Sequence, residues 1–469
     1  MSRTACARLF LALSMLGAIA IPRTVLPQSA PDWPKNFAEA LKNLQELAKI
    51  DTSNPPGNET RLAQYLKAIL DKEGIPAEIV SSDANRGNLI ARLKGNGRKR
   101  PLLLAGHSDV VGVEREKWTV DPFAGLIKDG HVYGRGVYDD KDNLAAALQV
   151  VLMLHRMKVP LDRDIILLSE SGEEGGGGVG MGFLVNQHWD KIDSEFALLE
   201  GGETLLDAGG KIMSFGVATT EKVPNGMRLV AKGTSGHGSI PRPDNPIVHL
   251  AAAVAKVGEF QPPMRLNETT RAYFQRLATI SSPEDAFMYT HLEDPVLGPA
   301  IQEKLRTTKL TLNSMLRTSI SPNIIKGGFR SNVIPGDAEA TLDVRALPDE
   351  DIGEFVATLR RIINDPAVEV VPPSGGGRPK SVPSRLDSEM FRALEKAQAA
   401  VLPGAVTLPM MVTGATDGAQ LRAKGVQVYG LGSVNLGVLH GNDERIPIEG
   451  FNKFLEIMYR AVVEVAAAK

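Results

Sequence analysis

Four short apolar runs constrain this chain more than any other feature: Pro101–Ala105 (PLLLA), Asp164–Ser169 (DIILLS), Glu195–Leu199 (EFALL) and Gly425–Leu431 (GVQVYGL). Each has the length of a strand, and such a run of apolar residues reads as a strand buried on both faces. Between the first two lies Leu144 to Met157, an apolar-rich helical segment of crossover length. Phe37–Ile50 and Glu59–Gly74 also carry apolar residues at helical spacing, and the second ends on a glycine. The alternation predicts βαβ units, and therefore an α/β fold with a mainly parallel sheet and helices on both faces.

A second texture begins near Val223. Met227–Lys232, Ala338–Val344 and Val368–Val371 read as strands and Pro246–Val257 and Asp351–Ile363 as helices, with a long polar insertion near 259–320. These elements suit a small α+β domain with an antiparallel sheet. After Pro372-Pro373-Ser374-Gly375-Gly376-Gly377 the pattern returns to long helices and a buried strand. The economical reading is an inserted domain, residues 222–375, interrupting a larger α/β domain made of 31–221 and 376–469.

Composition narrows the class. With 469 residues, 43% of them hydrophobic, one cysteine and a net charge of −2, the chain is neither a disordered segment nor a disulfide scaffold. Its 53 basic residues do not exceed its 55 acidic ones, so there is no footprint for nucleic acid. Residues 1–30 read as a signal peptide: Arg3 and Arg8 precede the 13 apolar residues Leu9–Ile21, Ala18-Ile19-Ala20 offers a small-residue cleavage site, and no acid occurs before Asp32. The run falls short of the ~20 residues that span a bilayer. The expectation is export to the periplasm or beyond, with membrane contact through this leader alone. Cys6 would leave with it, as would Arg3, Arg8 and Arg23, so the mature chain would have 50 basic against 55 acidic residues.

The chemistry-bearing residues follow the presumed strands, where open α/β sheets place ligands. Leu102-Leu103-Leu104-Ala105-Gly106 leads into His107-Ser108-Asp109; an imidazole can bind a first-row metal while a carboxylate two residues on holds its other nitrogen. Gly134-Arg135-Gly136-Val137-Tyr138-Asp139-Asp140-Lys141 opens a helix, which the two aspartates could simply cap. Ser169-Glu170-Ser171-Gly172-Glu173-Glu174 sets paired carboxylates in a glycine-rich turn, one suited to ligate a metal and the other to act as a general base. Glu200 ends the third strand run, and His440 follows the last. Singly, each of these has a bland structural explanation. Together, His107, Asp139, Glu174, Glu200 and His440 make a mixed N/O set that suits two Zn²⁺ or Co²⁺ ions bridged by a carboxylate. His131, His155, His188, His249 and His291 lack such companions and read as structural, and Trp118–Phe123 as packing for the loop between the first two ligands.

The ordered motifs H-S-D, G-R-G-x-x-D-D-K, S-G-E-E-G, L-E-G-G, G-H-G-S and H-G-x-x-E resemble those of a family of dinuclear zinc metallopeptidases and deacylases. It includes succinyl-diaminopimelate desuccinylase, acetylornithine deacetylase, aminoacylase-1, carboxypeptidase G and the carnosine dipeptidases. The resemblance covers roughly residues 35 to 465 and is nearest to the carboxypeptidase S and N-acyl amino acid hydrolase branch. It implies that His107 and Glu200 bind one zinc, Glu174 and His440 the other, and that Asp139 bridges them. It further implies that Asp109 orients His107, that Glu173 is the general base, and that the peptide after Asp139 is cis. In the inserted domain, which serves relatives as a lid and often as a homodimer surface, His237 of Gly236-His237-Gly238-Ser239 would stabilise the oxyanion, from the opposite subunit in dimeric relatives. Asn332 and Arg345 would grip a substrate carboxylate, the guanidinium fork being suited to that task. Gly414-Ala415-Thr416-Asp417 departs from the family's Gly-Gly-Thr-Asp substrate loop by one alanine.

The resemblance implies hydrolysis of an amide bond in a small peptide or N-acyl amino acid, beside a free carboxylate. An esterase or lactamase using the same metals, or a non-catalytic metal-binding relative, is the alternative. A serine nucleophile is disfavoured because the chain has no G-x-S-x-G elbow.

Overall fold

Alternate residues of the Leu102–His107 strand enter different cores, as a period of two requires. Leu102 and Leu104 join Leu44, Leu66, Leu148 and Phe451, from helices on one side of the sheet. Leu103 and Ala105 join Ile166, Met181, Leu184 and Leu421 on the other. This computed structural model describes residues 30–176, 178–373, 378–434, 436–437 and 439–468. All of the expected leader except Ala30, and the expected domain junction at 375/376, lie outside those residues.

Among the described residues the large sheet has nine strands. Its order is Ala77–Val80, Asn88–Leu93, Ile165–Glu170, Leu102–His107, Phe196–Glu200, Gln427–Leu431, Ile212–Glu221 and Val406–Val412, with Thr204–Leu206 beside Ile212–Glu221. The middle four strands, Ile165–Glu170 to Gln427–Leu431, are mutually parallel. They are the four apolar runs, and the expected α/β architecture with helices on both faces is what the chain adopts. The crossover helix spans Lys141–Arg156, and Gly74 (φ 72°) ends the Glu59–Glu73 helix in the left-handed conformation.

The second sheet is antiparallel: Val223–Pro224, Asp337–Ala346, Met227–Lys232 and Val368–Val371 in order, with Ser319–Gly327 on the Asp337–Ala346 strand. The helices Pro246–Glu259 and Ile352–Ile363 bury Leu250, Val257, Phe355 and Leu359 against it.

Two expectations need correction. The stretch near 259–320 is helical, not merely polar: Glu268–Ala278, Pro283–Thr290, Gly298–Thr308 and Leu310–Met315. Its apolar residues, Tyr273, Phe274, Leu277, Met288 and Leu305 among them, gather into a core of their own with Leu408 and Met411. Asn267 caps the first of these helices by accepting from the Thr270 amide (2.8 Å). The C-terminal segment contributes two strands to the large sheet, Val406–Val412 as well as Gln427–Leu431.

Lys222 stands between the Ile212–Glu221 and Val223–Pro224 strands and is fully buried; its Nζ donates to Ser314 Oγ (3.1 Å) and Ser319 Oγ (2.8 Å). Burial, and then the nearby Arg345 charge, push its amine down to about 7. In the unfolded chain a lysine titrates near ~10.4, so between these values the unfolded state binds the extra proton and stability rises with pH. Substituting Lys222→Met should therefore remove that part of the slope: relative to wild type, the variant gains stability as pH falls from about 10 to 7, and the difference levels off below. Urea unfolding of both proteins across this range checks it.

Candidate metal centre and active site

Parallel register brings the carboxyl ends of the central strands to one edge. His107 pairs in register with Glu170, and Leu431 with Glu200, so the loops leaving these strands start from a common line. Chain order reverses there: from Leu102–His107 the next strand lies on one side and Phe196–Glu200 on the other, which opens a crevice at the switch point.

Asp139 occupies the centre. Its Oδ1 lies 2.9 Å from His107 Nε2 and its Oδ2 3.1 Å from His440 Nε2. Glu174 Oε1 is 3.2 Å from the same His440 nitrogen, and Glu200 Oε2 4.0 Å from His107 Nε2. The peptide Asp139–Asp140 is cis, as the family resemblance implied. Burial pushes the Asp139 carboxyl up, but hydrogen bonds to both histidines prevail and hold it below the usual carboxylate range. Those bonds to Asp139 and Glu174 raise His440 to about 10. Burial, then the charge of Glu173, lift Glu200 well above its ordinary value.

A metal pair fits this donor set. Two ligand atoms about 2.0–2.2 Å from one zinc, at the tetrahedral angle, stand about 3.4 Å apart. The observed separations of 2.9 to 4.0 Å bracket that value. His107, Asp139 and Glu174 offer ligand atoms all within 4.8 Å of one another, and so do His107, Glu173 and Glu200. Both oxygens of Asp139 face an imidazole, which is the disposition a bridging carboxylate needs.

The supports around this set include residues that sequence reasoning missed. Glu444 accepts from the amides of Gly136 (3.0 Å), Tyr138 (2.8 Å) and Asp139 (3.3 Å) and from Arg135 Nη1 (2.6 Å). Arg135 in turn donates through Nη2 to the carbonyls of His440 (3.1 Å) and Gly441 (2.9 Å), and stacks on buried Trp118. One buried ion pair thus joins the loop of Asp139 to the loop of His440. The signal for it was a charged residue inside each of two glycine-containing motifs. Asp109 touches the His107 ring through its main-chain oxygen, 2.9 Å from Nδ1, while its carboxylate lies 3.6 Å away. That carboxylate accepts from the amides of Glu173 (3.0 Å) and Glu174 (3.2 Å) and from Asn54 Nδ2 (2.7 Å).

A cavity of about 580 Å³ opens over the cluster, with Asp139, Glu173, Glu174, Glu200 and His440 on one wall and Arg345, Met315 and Met410 on others. Arg345 also holds Asp343 (2.8 Å). His237 and Asn332 are brought together elsewhere: Gly236–His237 pairs with Val333–Ile334, and the Gly238 amide donates to the Asn332 carbonyl (2.9 Å). Both side chains are exposed, and neither lines the cavity.

The model of Peptidase family M20/M25/M40 matches residues 103–464. The chain belongs to this family. As an M20 member it is a metal-dependent hydrolase of amide bonds. The "Probable carboxypeptidase S-like 2" of Dictyostelium discoideum is 31% identical over 375 residues, 77% of this chain and 71% of the relative. The "N-fatty-acyl-amino acid synthase/hydrolase PM20D1" of Homo sapiens is 27% identical over 472 residues, 94% and 91% of the two chains. In structure, the M20 metallo-carboxypeptidase Sso-CP2 of Sulfolobus solfataricus superimposes with a TM-score of 0.67 at 20% identity, over 91% of this chain and 99% of its own, a likeness of fold.

Within this M20 scaffold Glu444 orients the Asp139 loop without itself belonging to the candidate ligand set. Glu444→Ala should lower divalent-metal affinity by roughly 10–100-fold while leaving the far-ultraviolet circular dichroism unchanged. Competition with a chelating dye measures it, and an unaltered affinity would remove Glu444 from the supporting set.

Proposed function

We propose that the chain hydrolyses the amide bond of a small peptide or N-acyl amino acid that carries a free carboxylate, using two zinc ions, with cobalt able to substitute. The observation that carries this reading is the Asp139 carboxylate between His107 and His440, with Glu173 in the same cavity wall. His107 and Glu200 would hold one ion, Glu174 and His440 the other, and Asp139 would serve both. When bound, the metal pair acidifies the attacking water and polarises the scissile carbonyl. Glu173 does the proton work. Burial raises its carboxyl to about 7, with the charge of Asp417 adding to the rise and His107 opposing it, which suits a base that must also give its proton back. It removes a proton from water, hydroxide adds to the carbonyl carbon, and the C–N bond breaks as Glu173 returns the proton to the leaving nitrogen. Asp109 holds the Glu173–Glu174 backbone, and Arg345 meets the substrate carboxylate.

The names of the relatives favour this substrate class: one is a carboxypeptidase S-like protein, another hydrolyses N-fatty-acyl amino acids. We read residues 222–375 as the lid of a catalytic domain formed by 31–221 and 376–469, and the leader as directing export.

A homodimer through the lid completes the reading. The Ser319–Gly327 strand pairs on one side only among the described residues; its Ile324 (49% exposed) and Ile325 (59%) are exposed, as are Ile247 (39%) and Val248 (63%) of the Pro246–Glu259 helix that packs against this strand. An open edge beside exposed isoleucines invites a second copy. It would let the exposed His237 act at the partner's cavity, where a hydrogen bond to the developing oxyanion is worth roughly 10²–10³ in rate.

Three measurements test this. In a screen of dipeptides and N-acyl amino acids with added zinc, Glu173→Ala should keep both metals and lose nearly all turnover; an active Glu173→Ala enzyme would sink the assignment. Light scattering should give twice the monomer mass, and mixing inactive Glu173→Ala with inactive His237→Ala should recover activity through hybrid dimers; a monomer, or no recovery, rejects the shared site.

A further inference from the structure

Arg378 has no place in the family motifs of this chain, yet its guanidinium joins Glu173 in the cavity wall to Asp417 behind it. Nη2 donates to Glu173 Oε1, and Nη1 to Asp417 Oδ1 (3.2 Å). The side chains are little exposed: 16% for Arg378, 10% for Glu173 and 2% for Asp417. Glu170, also buried, lies beside Asp417 and adds another carboxyl; the His107 imidazole faces Glu170 and Glu173 as well, and Arg378 is the cation hydrogen-bonded to both Glu173 and Asp417.

The two ends of this bridge differ in rigidity. Asp417 follows Thr416, whose amide (3.0 Å) and hydroxyl (2.6 Å) both donate to Glu221; Glu221 in turn accepts from buried Arg422 (3.0 Å). Asp417 also accepts from Gln420 (3.0 Å). Glu173, by contrast, lies in a glycine-rich turn, where its amide donates to the Asp109 carboxylate (3.0 Å) and its carbonyl accepts from the Gly176 amide of the same turn (3.1 Å). A glutamate with three rotatable bonds does not present one oxygen to a water unless the other oxygen is held. Arg378 holds it. The planar fork reaches two carboxylates at once from fixed directions, which a lysine cannot do.

We propose that Arg378 is a positioning residue for the proton-transferring carboxylate: it pins one oxygen of Glu173 against the rigid Thr416–Asp417 turn and leaves the other to meet the attacking water. The proposal rests on the reading of Glu173 as the base. It also gives the Gly414–Asp417 turn, whose Gly414, Ala415 and Thr416 line the cavity, a mechanical link to the reacting group.

The test uses the full-length enzyme loaded with zinc, on whichever dipeptide or N-acyl amino acid the wild type turns over fastest. Arg378→Ala should lower kcat by about 10²-fold. KM should stay within about threefold and metal content should stay at the wild-type level. Added guanidinium ion, at millimolar concentration, should restore part of the lost kcat, which it would not do for a merely structural loss. In a Glu173→Gln background the same substitution should change the residual rate less than about twofold, because the group being positioned is gone. A raised KM with kcat intact would show that Arg378 grips substrate, and an equal loss in both backgrounds would show that it acts elsewhere; either overturns the proposal. Should Arg378→Ala not fold, Arg378→Lys carries the test: it keeps the charge without the fork, and wild-type kcat in that variant counts against positioning. A fully active Glu173→Gln enzyme would instead refute the base assignment.

Discussion

Every feature of this active site answers one electrostatic problem: Asp139, Glu173, Glu174 and Glu200 converge at the carboxyl edge of a parallel sheet. Like charges at such separations in a low-dielectric crevice repel by several kcal/mol. Within the protein the problem is met by His107 and His440, both raised in pKa, and by Arg378. The sheet cannot relieve the crowding by moving the strands apart, because their registers are fixed by cores on both faces. The acids are therefore held where only cations make them tolerable. That is the condition under which metal binding is strong.

Holding them there costs burial of charge elsewhere. Arg135–Glu444 and Arg422–Glu221 are among the least exposed ion pairs in the molecule, and a buried pair of this kind repays its desolvation only when the remaining hydrogen-bonding groups are also satisfied. Glu444 meets that condition with three main-chain amides, and Glu221 with Thr416. Neither pair includes a proposed metal ligand. Each fixes a loop that carries a functional side chain, and the large apolar core offsets the cost.

Much of this was legible in the chain itself. The four central strands are continuous apolar runs, and the proposed metal ligands end a strand, follow one or open a helix, so period and position both point to them. The helices between 268 and 315 escaped notice because charged residues dilute their apolar stripe; Tyr273, Phe274 and Leu277 become a face only once packed on Leu408 and Met411. The Ile212–Glu221 and Val406–Val412 strands were hidden for a related reason, since their threonines, glycine and proline do not form a plain apolar run. Arg378 was beyond reach in another way: nothing local distinguishes it, and its partners lie 205 and 39 residues distant. Local chemistry can be read along a chain, whereas a contact made by folding cannot.

The cavity's charge distribution also implies an order of assembly. Its wall near Asp139 is anionic, while Arg345 on another wall is cationic and already shares its charge with Asp343. A substrate bearing a carboxylate would be repelled by the acidic wall of the bare protein. Two divalent ions at that wall would, on the function proposed, balance the four carboxylates, and with Arg378 and Arg345 they would turn the field favourable to an anion. On the function proposed, metal must therefore precede substrate, and the pairing of Arg345 with Asp343 sets how strongly a carboxylate competes for the guanidinium. Substrate affinity would then rise with metal occupancy through the field that a carboxylate meets on its way to Arg345.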